Sequence, residues 1–453
     1  MNIIVGNAWP YANGKLHLGR IATLLPGDIL ARYHRMMGDN VLFISGSDAH
    51  GRPVTMKAIE ENTTPKKVLD KYHKEFVECF NKLNFSFDLF TSTHTDYHKK
   101  EVMRLIKELY KKDYIYEGTD KELYFSLSKF ENDVKKIFVK QQGWRENALN
   151  ITKKYIDEGL RDKSVTKEID WGVDVPLEGF EDKKIFVWIE ALMGYVTATN
   201  SCLINKDETI EDFFNDEEGK VYLVHGKDNI PFHTIIFPGL LSALGFDKVN
   251  LSIMSSEHLK LEGKDFSTNK NWAIWVDDIC KRYDVDTIRY YLILNGPEDK
   301  DTDFKWKNFI NANNYDLVSE LDLLYRNTVL NLRQESINEG EKDKLLNMYF
   351  DISDKIEEGN FKDALKEIFA LIKEENKKKK SSVITLINIA NMLEPFMPKT
   401  AKRIKAEFGV NKSIWSFITI DRFPKKVFYR PLFRMIDRKN LNDEIRLLKD
   451  KKK

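Results

Sequence analysis

The sequence predicts an α/β fold: a doubly wound parallel sheet that carries an insertion, followed by an α-helical bundle. Three observations predict it. The apolar run Ile3-Ile4-Val5 reads as a buried strand; the turn-rich stretch from Asn7 to Gly14 follows it, and a helix pattern begins at about Ile21. Further short apolar runs recur along the chain and end in polar residues, as parallel strands do at the edge where such sheets bind ligands. From about residue 307 the apolar spacing becomes that of helices.

The elements follow in order. The first strand, its Pro/Asn/Gly turn and the helix start make a phosphate site, with free N–H groups and the positive end of a helix dipole. His17 adds a side-chain donor at that mouth. Asn40 to Gly46 is the second strand, and it ends in Ser47-Asp48-Ala49-His50-Gly51. Residues 113–182 read as the insertion, with an acidic, Trp-bearing exit from Glu168 to Gly172. Lys184 to Trp188 is expected to restart the sheet, and Val221–His225 and Leu251–Met254 to continue it. After a loop from Lys264 to Asn271, helical spacing runs through Phe309–Arg333, Phe361–Ile372 and Val383–Leu393, the last ended by Pro395 and Pro398. Lys377–Lys380 falls in a bundle connection, and Lys451–Lys453 reads as a solvated end.

Composition bounds the function. A chain of 453 residues with 42% hydrophobic and 32% charged residues is a soluble globular profile, long enough for two or three domains. Lys+Arg is 72 against Asp+Glu 71, so the basic excess of a polyanion binder is missing from the total. The three cysteines, Cys79, Cys202 and Cys280, form no C-x-x-C pair, so no zinc knuckle is read. Their odd, scattered count suits a reducing compartment. No secretory leader is read, and no apolar run approaches the roughly 18 residues of a membrane span. A cytoplasmic protein without a membrane partner is expected.

Two stretches carry a family resemblance. Asn7-Ala8-Trp9-Pro10-Tyr11-Ala12-Asn13-Gly14-Lys15-Leu16-His17-Leu18-Gly19-Arg20 and Leu261 to Trp272 resemble the two signatures of the class I aminoacyl-tRNA synthetases in their methionyl version, A-x-P-Y-A-N-G-x-x-H-x-G-H and K-[FM]-S-K-S. Four more strings agree in order: Gly46 to Gly51, Gly226 to Ile236, Asp286 to Leu292 and Lys300 to Phe304. The resemblance implies a Rossmann-like class I synthetase catalytic domain with an inserted connective domain, followed by an α-helical bundle. Its parts are the first catalytic half (1–112), a connective insertion lacking the zinc knuckle (113–182) and the second catalytic half (183–262). A signature-loop and stem-contact module (263–306), an anticodon-binding-like bundle (307–435) and a charged tail (436–453) complete it.

The implied reaction joins ATP and an amino acid into aminoacyl-AMP and pyrophosphate, with Mg²⁺ expected from the ATP chemistry rather than from a ligand motif. In such a step the protein positions the carboxylate and neutralises phosphate charge. The resemblance places His17, Arg20, Lys264, Lys270 and Lys167 as catalytic positions. It places Ala8, Pro10, Tyr11, His17, Gly19, Gly226, Asp228 and Ser267 at ATP, with His17 facing the phosphates and Asp228 the ribose. It places Trp9, Tyr11, Asp48, Trp188, Ala191, Leu192, Tyr195 and His233 at the amino acid, with Asp48 holding the ammonium. The plain structural alternatives are a turn-stabilising histidine at position 17 and a helix N-cap at position 48.

Departures from the family pattern shape the expectation. Arg20 stands for a His. Asp265 and Thr268 stand for the two loop lysines, and Asn269 for the last Ser; Lys264 and Lys270 flank the loop. Thr166-Lys167-Glu168 replaces Ser-Arg-Asp, so a phosphate fork becomes a point charge. Trp9 replaces a Leu and Leu192 a Pro, which reshapes the side-chain pocket toward a smaller or more polar substrate, unless Trp9 turns into the core. Asp322, paired with Arg326, replaces an anticodon-reading Asn, and a Pro-Trp segment is missing where Leu371 to Asn376 runs into the lysine tract. The expected function is therefore an amino-acid-activating ligase that transfers to a small amine or hydroxylamine, as in hydrazine-forming biosynthesis, with a separate cupin protein as partner and tRNA left open. Two readings stand beside it: a genuine methionine–tRNA ligase, and a non-catalytic sensor of ATP or an amino acid.

Overall fold

Five parallel strands form the central sheet: β1 (Asn2–Asn7), β2 (Asn40–Ser47), β3 (Leu89–Ser92), β4 (Lys220–Gly226) and β5 (Leu251–Ser256), in the spatial order β5-β4-β1-β2-β3. Ile4 lies opposite Leu42 on one side and Val221 on the other, and the strand interiors are buried on both faces, as a parallel sheet covered by helices requires. Strand order reverses beside β1, so the turn that leaves β1 opens at the point where such sheets bind ligands. Backbone bonds pin that turn to both neighbours: Ala8 N–H donates to the Val224 carbonyl, Asp48 N–H to Pro10, and Ala12 N–H to Asp48.

This computed structural model describes every residue except 142, 333–336, 379–381, 421–423, 425 and 451–453, and of 450 only the backbone. The expected ends of Phe309–Arg333, of the Lys377–Lys380 tract and of the Lys451–Lys453 run thus lie outside the described residues. The chain divides into two compact units. One comprises residues 1–15, 40–80 and 86–256, and holds the sheet. The other comprises residues 16–39, 81–85 and 257–453.

In the first unit the helix Val187–Leu203 packs on β2 and β3, and the helix Asp96–Lys111 packs on that helix. The insertion forms a small antiparallel sheet from Ile115–Glu117, Leu123–Phe125 and Lys163–Ser164, with helices Glu131–Val139 and Glu146–Asp157. Trp144 ties it to the sheet by donating its indole N–H to the Leu251 carbonyl at 2.7 Å. One expectation fails here. Lys184 to Trp188 does not restart the central sheet: Lys184–Ile185 pairs antiparallel with Thr166–Lys167, and Val187 already opens a helix. A short apolar run reads the same for a buried strand as for a buried helix, and this helix is buried on nearly every side.

In the second unit the helix begins at Leu18, three residues before the expected start, with His17 at the N-cap. It packs on the helix Val285–Leu294, where fully buried Arg289 meets Asp28 at 2.7 Å and donates to the carbonyls of Leu83, Pro395 and Phe396. A three-stranded sheet joins Leu259–Leu261, Lys264–Asp265 and Thr302–Phe304. The helical bundle follows. Its first helix runs from Trp306 to Leu330 and is wound as a π-helix over Ala312–Asp322. Glu339–Glu357, Phe361–Lys377, Val383–Leu393 and Pro398–Glu407 complete the bundle.

The segment 436–453, expected as a charged tail, is more than a tail. Lys439–Asp450 is a helix whose Leu441, Ile445 and Leu448 share one face. Glu444, buried on that face, accepts bonds from Arg282 Nε (2.7 Å), Arg282 Nη2 (3.0 Å) and the Tyr283 hydroxyl (2.9 Å). Charge that looked like solvent-facing composition is partly spent on docking. Among the described residues no helix is long and apolar enough to cross a membrane.

Candidate active site

β2 delivers the central acid of the first unit. Asp48 follows its last residue, and its side chain is only 4% exposed. It is not a helix N-cap, because Gly51 holds that place for the helix Arg52–Glu60. No cationic side chain lies at ion-pair distance from it among the described residues. Burial, and then the charge of Glu190, push its carboxyl well above the usual range; the His50 backbone N–H at 3.4 Å offsets this only in part. A buried carboxylate without a counter-ion is costly, and a cationic ligand would remove that cost.

Tyr11 bridges to Asp48 along the backbone, and its hydroxyl bonds Trp188. Burial and the Asp48 charge raise the Tyr11 hydroxyl, so it stays a proton donor. Trp188 is 48% exposed and sits between Phe186 (4.9 Å) and Phe232 (4.8 Å), while Lys167 lies over the Phe186 ring at 5.8 Å. Ala191 is half-buried, and Leu192 faces the core. Ala8 and Pro10 belong to the pinned turn after β1; Gly226 ends β4, and Asp228 lies in the single turn that follows.

A second cluster lies along the helix Val187–Leu203. Tyr195 donates its hydroxyl proton to His233 Nε2 at 2.9 Å, and His233 Nδ1–H donates to the Asn229 carbonyl at 2.9 Å. Burial draws His233 down to about 4, so it is neutral and the Nδ1–H tautomer is fixed. His225 stacks on it at 4.2 Å. Trp9 packs edge-on to Tyr195, with 6.4 Å between ring centroids. Its indole fits because two glycines make room: a Cβ on Gly46 would come within 2.5 Å of the ring, and one on Gly194 within 3.1 Å. The Trp9 Nε1 donor is buried without a partner.

A third group was not singled out from the sequence. His50 Nδ1 meets Glu190 Oε1 at 2.7 Å, and His50 Nε2 meets His94 Nδ1 at 2.9 Å. His98 Nε2 lies 3.3 Å from Glu190 Oε1, and Lys99 Nζ 3.2 Å from His94 Nε2. Trp171 stacks on His94 at 4.4 Å and donates to the Ala49 carbonyl at 2.6 Å. The spacing of His94 and His98 gave no helical signal: His94 precedes the N-cap Thr95, and His98 lies in the first turn of the helix.

In the second unit the His17 ring stacks on Phe266 at 4.9 Å, with 12° between the planes, and meets Trp275 edge-on. Gly19 lies against the rings of His17 and Phe266. Burial, with the charge of Arg20, draws His17 down to about 3, so it is neutral. His17 Nδ1 and Arg20 Nη1 are both shut off from solvent without a partner. The expected catalytic loop is a short hairpin in which Ser267 and Trp272 exchange backbone bonds. Lys264 and Lys270 are exposed on it, and Lys264 lies over the Trp272 ring at 5.1 Å. The unpaired Arg20 N–H donor beside a helix N-terminus suits an anion. The sequence-derived site thus assembles as two groups, one in each unit. Among the described residues no cluster of three or more His, Cys, Asp or Glu could hold a metal ion.

Comparisons with known proteins complete this geometry. Residues 3–124 and 118–328 match the family model for class I tRNA synthetases (M). Methionine–tRNA ligase 1 of Alkaliphilus oremlandii (strain OhILAs) is 36% identical, covering 98% of this chain and 99% of that one. The chain belongs to the methionyl-type class I tRNA synthetases. Another family member, a methionine–tRNA ligase of Bacillus cereus (strain B4264), is 35% identical over 98% of both chains. The first of these alignments spans 536 residues against 453 here, so this synthetase-type chain lacks segments that its relative carries. The fold agrees with the crystal structure of Mycobacterium tuberculosis methionyl-tRNA synthetase bound by methionyl-adenylate, at a TM-score of 0.83 and 19% identity, covering 96% of this chain and 100% of that one.

Proposed function

We propose that this chain activates an amino-acid carboxylate with ATP, giving aminoacyl-AMP and pyrophosphate. The observation that carries the reading is Asp48, a buried carboxyl with no cation beside it among the described residues, whose ionised form a substrate ammonium would stabilise. The His17–Arg20 turn is the phosphate cradle, with Mg²⁺ arriving as the counter-ion of ATP. The protein's part is to orient the carboxylate for in-line attack and to hold the charge of the departing pyrophosphate. The full-length likeness to methionine–tRNA ligases supports this chemistry.

The substrate in this reading is an amino acid with a side chain shorter or more polar than that of methionine. The Trp9 indole occupies space beside Tyr195 and offers an N–H that nothing in the protein satisfies. The acceptor is a small amine or hydroxylamine rather than an anticodon-selected tRNA, with a separate cupin protein as the partner for later steps. One observation favours this: Asp322, at the position of the family's anticodon-reading Asn, is spent on holding the chain's own Tyr429 and Leu432.

The test is amino-acid-dependent ATP–pyrophosphate exchange without tRNA, over the standard amino acids and their hydroxylated analogues. Exchange with a short or polar amino acid supports the reading. Exchange with methionine alone, together with charging of methionine tRNA, returns the chain to the translation enzymes. Silence across the panel with ATP bound points to a sensor.

A further inference from the structure

Glu190 has no part in the reaction as described, yet it is fully buried and tightly held. Its Oε1 is shared by His50 at 2.7 Å and His98 at 3.3 Å, and its Oε2 has no partner. His98 is fixed in turn by Thr197 Oγ1 at 2.8 Å, and His50 by His94 at 2.9 Å. His50 touches both acids of the pocket: its ring holds Glu190, and its backbone N–H points to Asp48 Oδ1 at 3.4 Å. One residue therefore fixes two buried carboxyl groups relative to each other, one with bases around it and one without.

We propose that Glu190 is a positioning residue of the ammonium pocket: a second buried carboxylate tied to Asp48 through His50, beside which the ammonium of the incoming amino acid replaces a proton on Asp48. The proposal rests on the reading that Asp48 receives the ammonium. The exchange balances: Asp48 loses one proton to solvent, and the ammonium replaces it as the charge partner. Only a cation drives that exchange; a neutral isostere leaves the proton on Asp48 and gains no ion pair.

The groups that face the pair are all in place for this. From the turn after β1 comes the Tyr11 hydroxyl, whose pKa burial raises first and both acids raise further. From the loop after β2 comes His50, and from the helix Asp96–Lys111 comes His98. His94 stands behind His50, and Lys99 and Lys66 bear on it with positive charge. Burial works against ionised Glu190, but the charge and bond of His50, with His98 nearby, outweigh it and hold the carboxyl at about 2. Asp48 has no such bases, and burial, then the charge of Glu190, push it the other way.

The experiment is a pH titration of the whole protein without ligand, by carbon-13 NMR with selectively labelled Asp and Glu carboxyls. Asp48→Asn and Glu190→Gln identify the two signals. In the native chain the Asp48 carboxyl takes its proton above the usual aspartate range while Glu190 stays ionised. Glu190→Gln shifts the Asp48 midpoint to lower pH, and Glu190→Asp, which keeps the charge, leaves it near the native position. An Asp48 midpoint in the ordinary aspartate range, or one unmoved by Glu190→Gln, overturns the proposal; the first outcome is read in the native chain once Asp48→Asn has assigned the signal. The activation reading fails separately, if Asp48→Asn keeps full amino-acid-dependent pyrophosphate exchange.

Discussion

Tyr429 donates its hydroxyl proton to Asp322 Oδ2 at 2.6 Å, and the other oxygen of the same carboxylate accepts the Leu432 N–H at 2.6 Å. The pair clasps the chain's own C-terminal stretch onto the π-wound helix. Arg326, one turn on, is exposed and lies over the Tyr429 ring at 5.9 Å, so only Asp322 of the family's reading pair is turned inward. Asp322→Asn places an amide N–H₂ against one of two donors and loses a charge-assisted bond. We expect a loss of about 1–3 kcal/mol, read as a lower urea midpoint with an unchanged slope. A midpoint unchanged from the native chain shows that the clasp contributes nothing.

The proposed phosphate cradle makes a second prediction. Arg20 Nη1 is enclosed and unpartnered next to a neutral His17, whereas Lys264 and Lys270 are exposed on the hairpin. A preorganised charge in a dry site is worth far more than a solvated one. Arg20→Gln should lower pyrophosphate exchange by about 10²–10³, and Lys264→Ala or Lys270→Ala by less than about tenfold. The reverse ranking assigns the leaving-group charge to the loop.

Acid should unfold the protein through its neutral histidines. His94 and His233 are both drawn down to about 4 from 6.5, by burial first and, for His94, by Lys99 and His50 next. Their unfolded forms take up protons below about 6.5, and the native forms only near 4. Stability is therefore fully present above about pH 6.5 and is lost as pH falls toward 4. Glu190 acts in the same direction at lower pH, and Asp48, whose carboxyl is raised, acts in the opposite one. Urea midpoints between pH 7 and 4 should fall, and His94→Gln should flatten that fall. A midpoint flat across this range contradicts the neutral assignment.

Much of this was legible in the sequence because the residues that carry it lie in short local strings. Ile3-Ile4-Val5, Asp48 and Gly226 each sit at a strand or a strand end, where period and turn chemistry speak together. Lys184 to Trp188 misled because a buried helix has no polar face to mark its period. β3 escaped because four residues give too short a pattern. The His50–Glu190–His98 group and the Asp322–Tyr429 clasp escaped for another reason. Their members lie 140, 92 and 107 residues apart, and only folding brings them together. The docked helix Lys439–Asp450 was hidden by composition: its buried Glu444 looks, in sequence, like the exposed Asp443 beside it.

Trp9 gives the prediction that bears most on substrate choice. Its ring fills the slot between Gly46 and Gly194 and lies edge-on to Tyr195, whose hydroxyl is already committed to His233. Trp9→Leu removes the orphaned N–H and opens space in the same place. The lost apolar contact should destabilise the protein by about 1–3 kcal/mol, with part returned because an unsatisfied buried donor disappears. If the slot receives the substrate side chain, the gain in room favours longer unbranched side chains. The ratio of kcat/KM for methionine over the preferred shorter amino acid should rise by about 10–200-fold, the range that one methylene group commands in an apolar pocket. If the indole only packs the core, stability falls and the ratio stays where it was. Measuring exchange and urea unfolding on the same preparation separates the two, because only a pocket residue moves both.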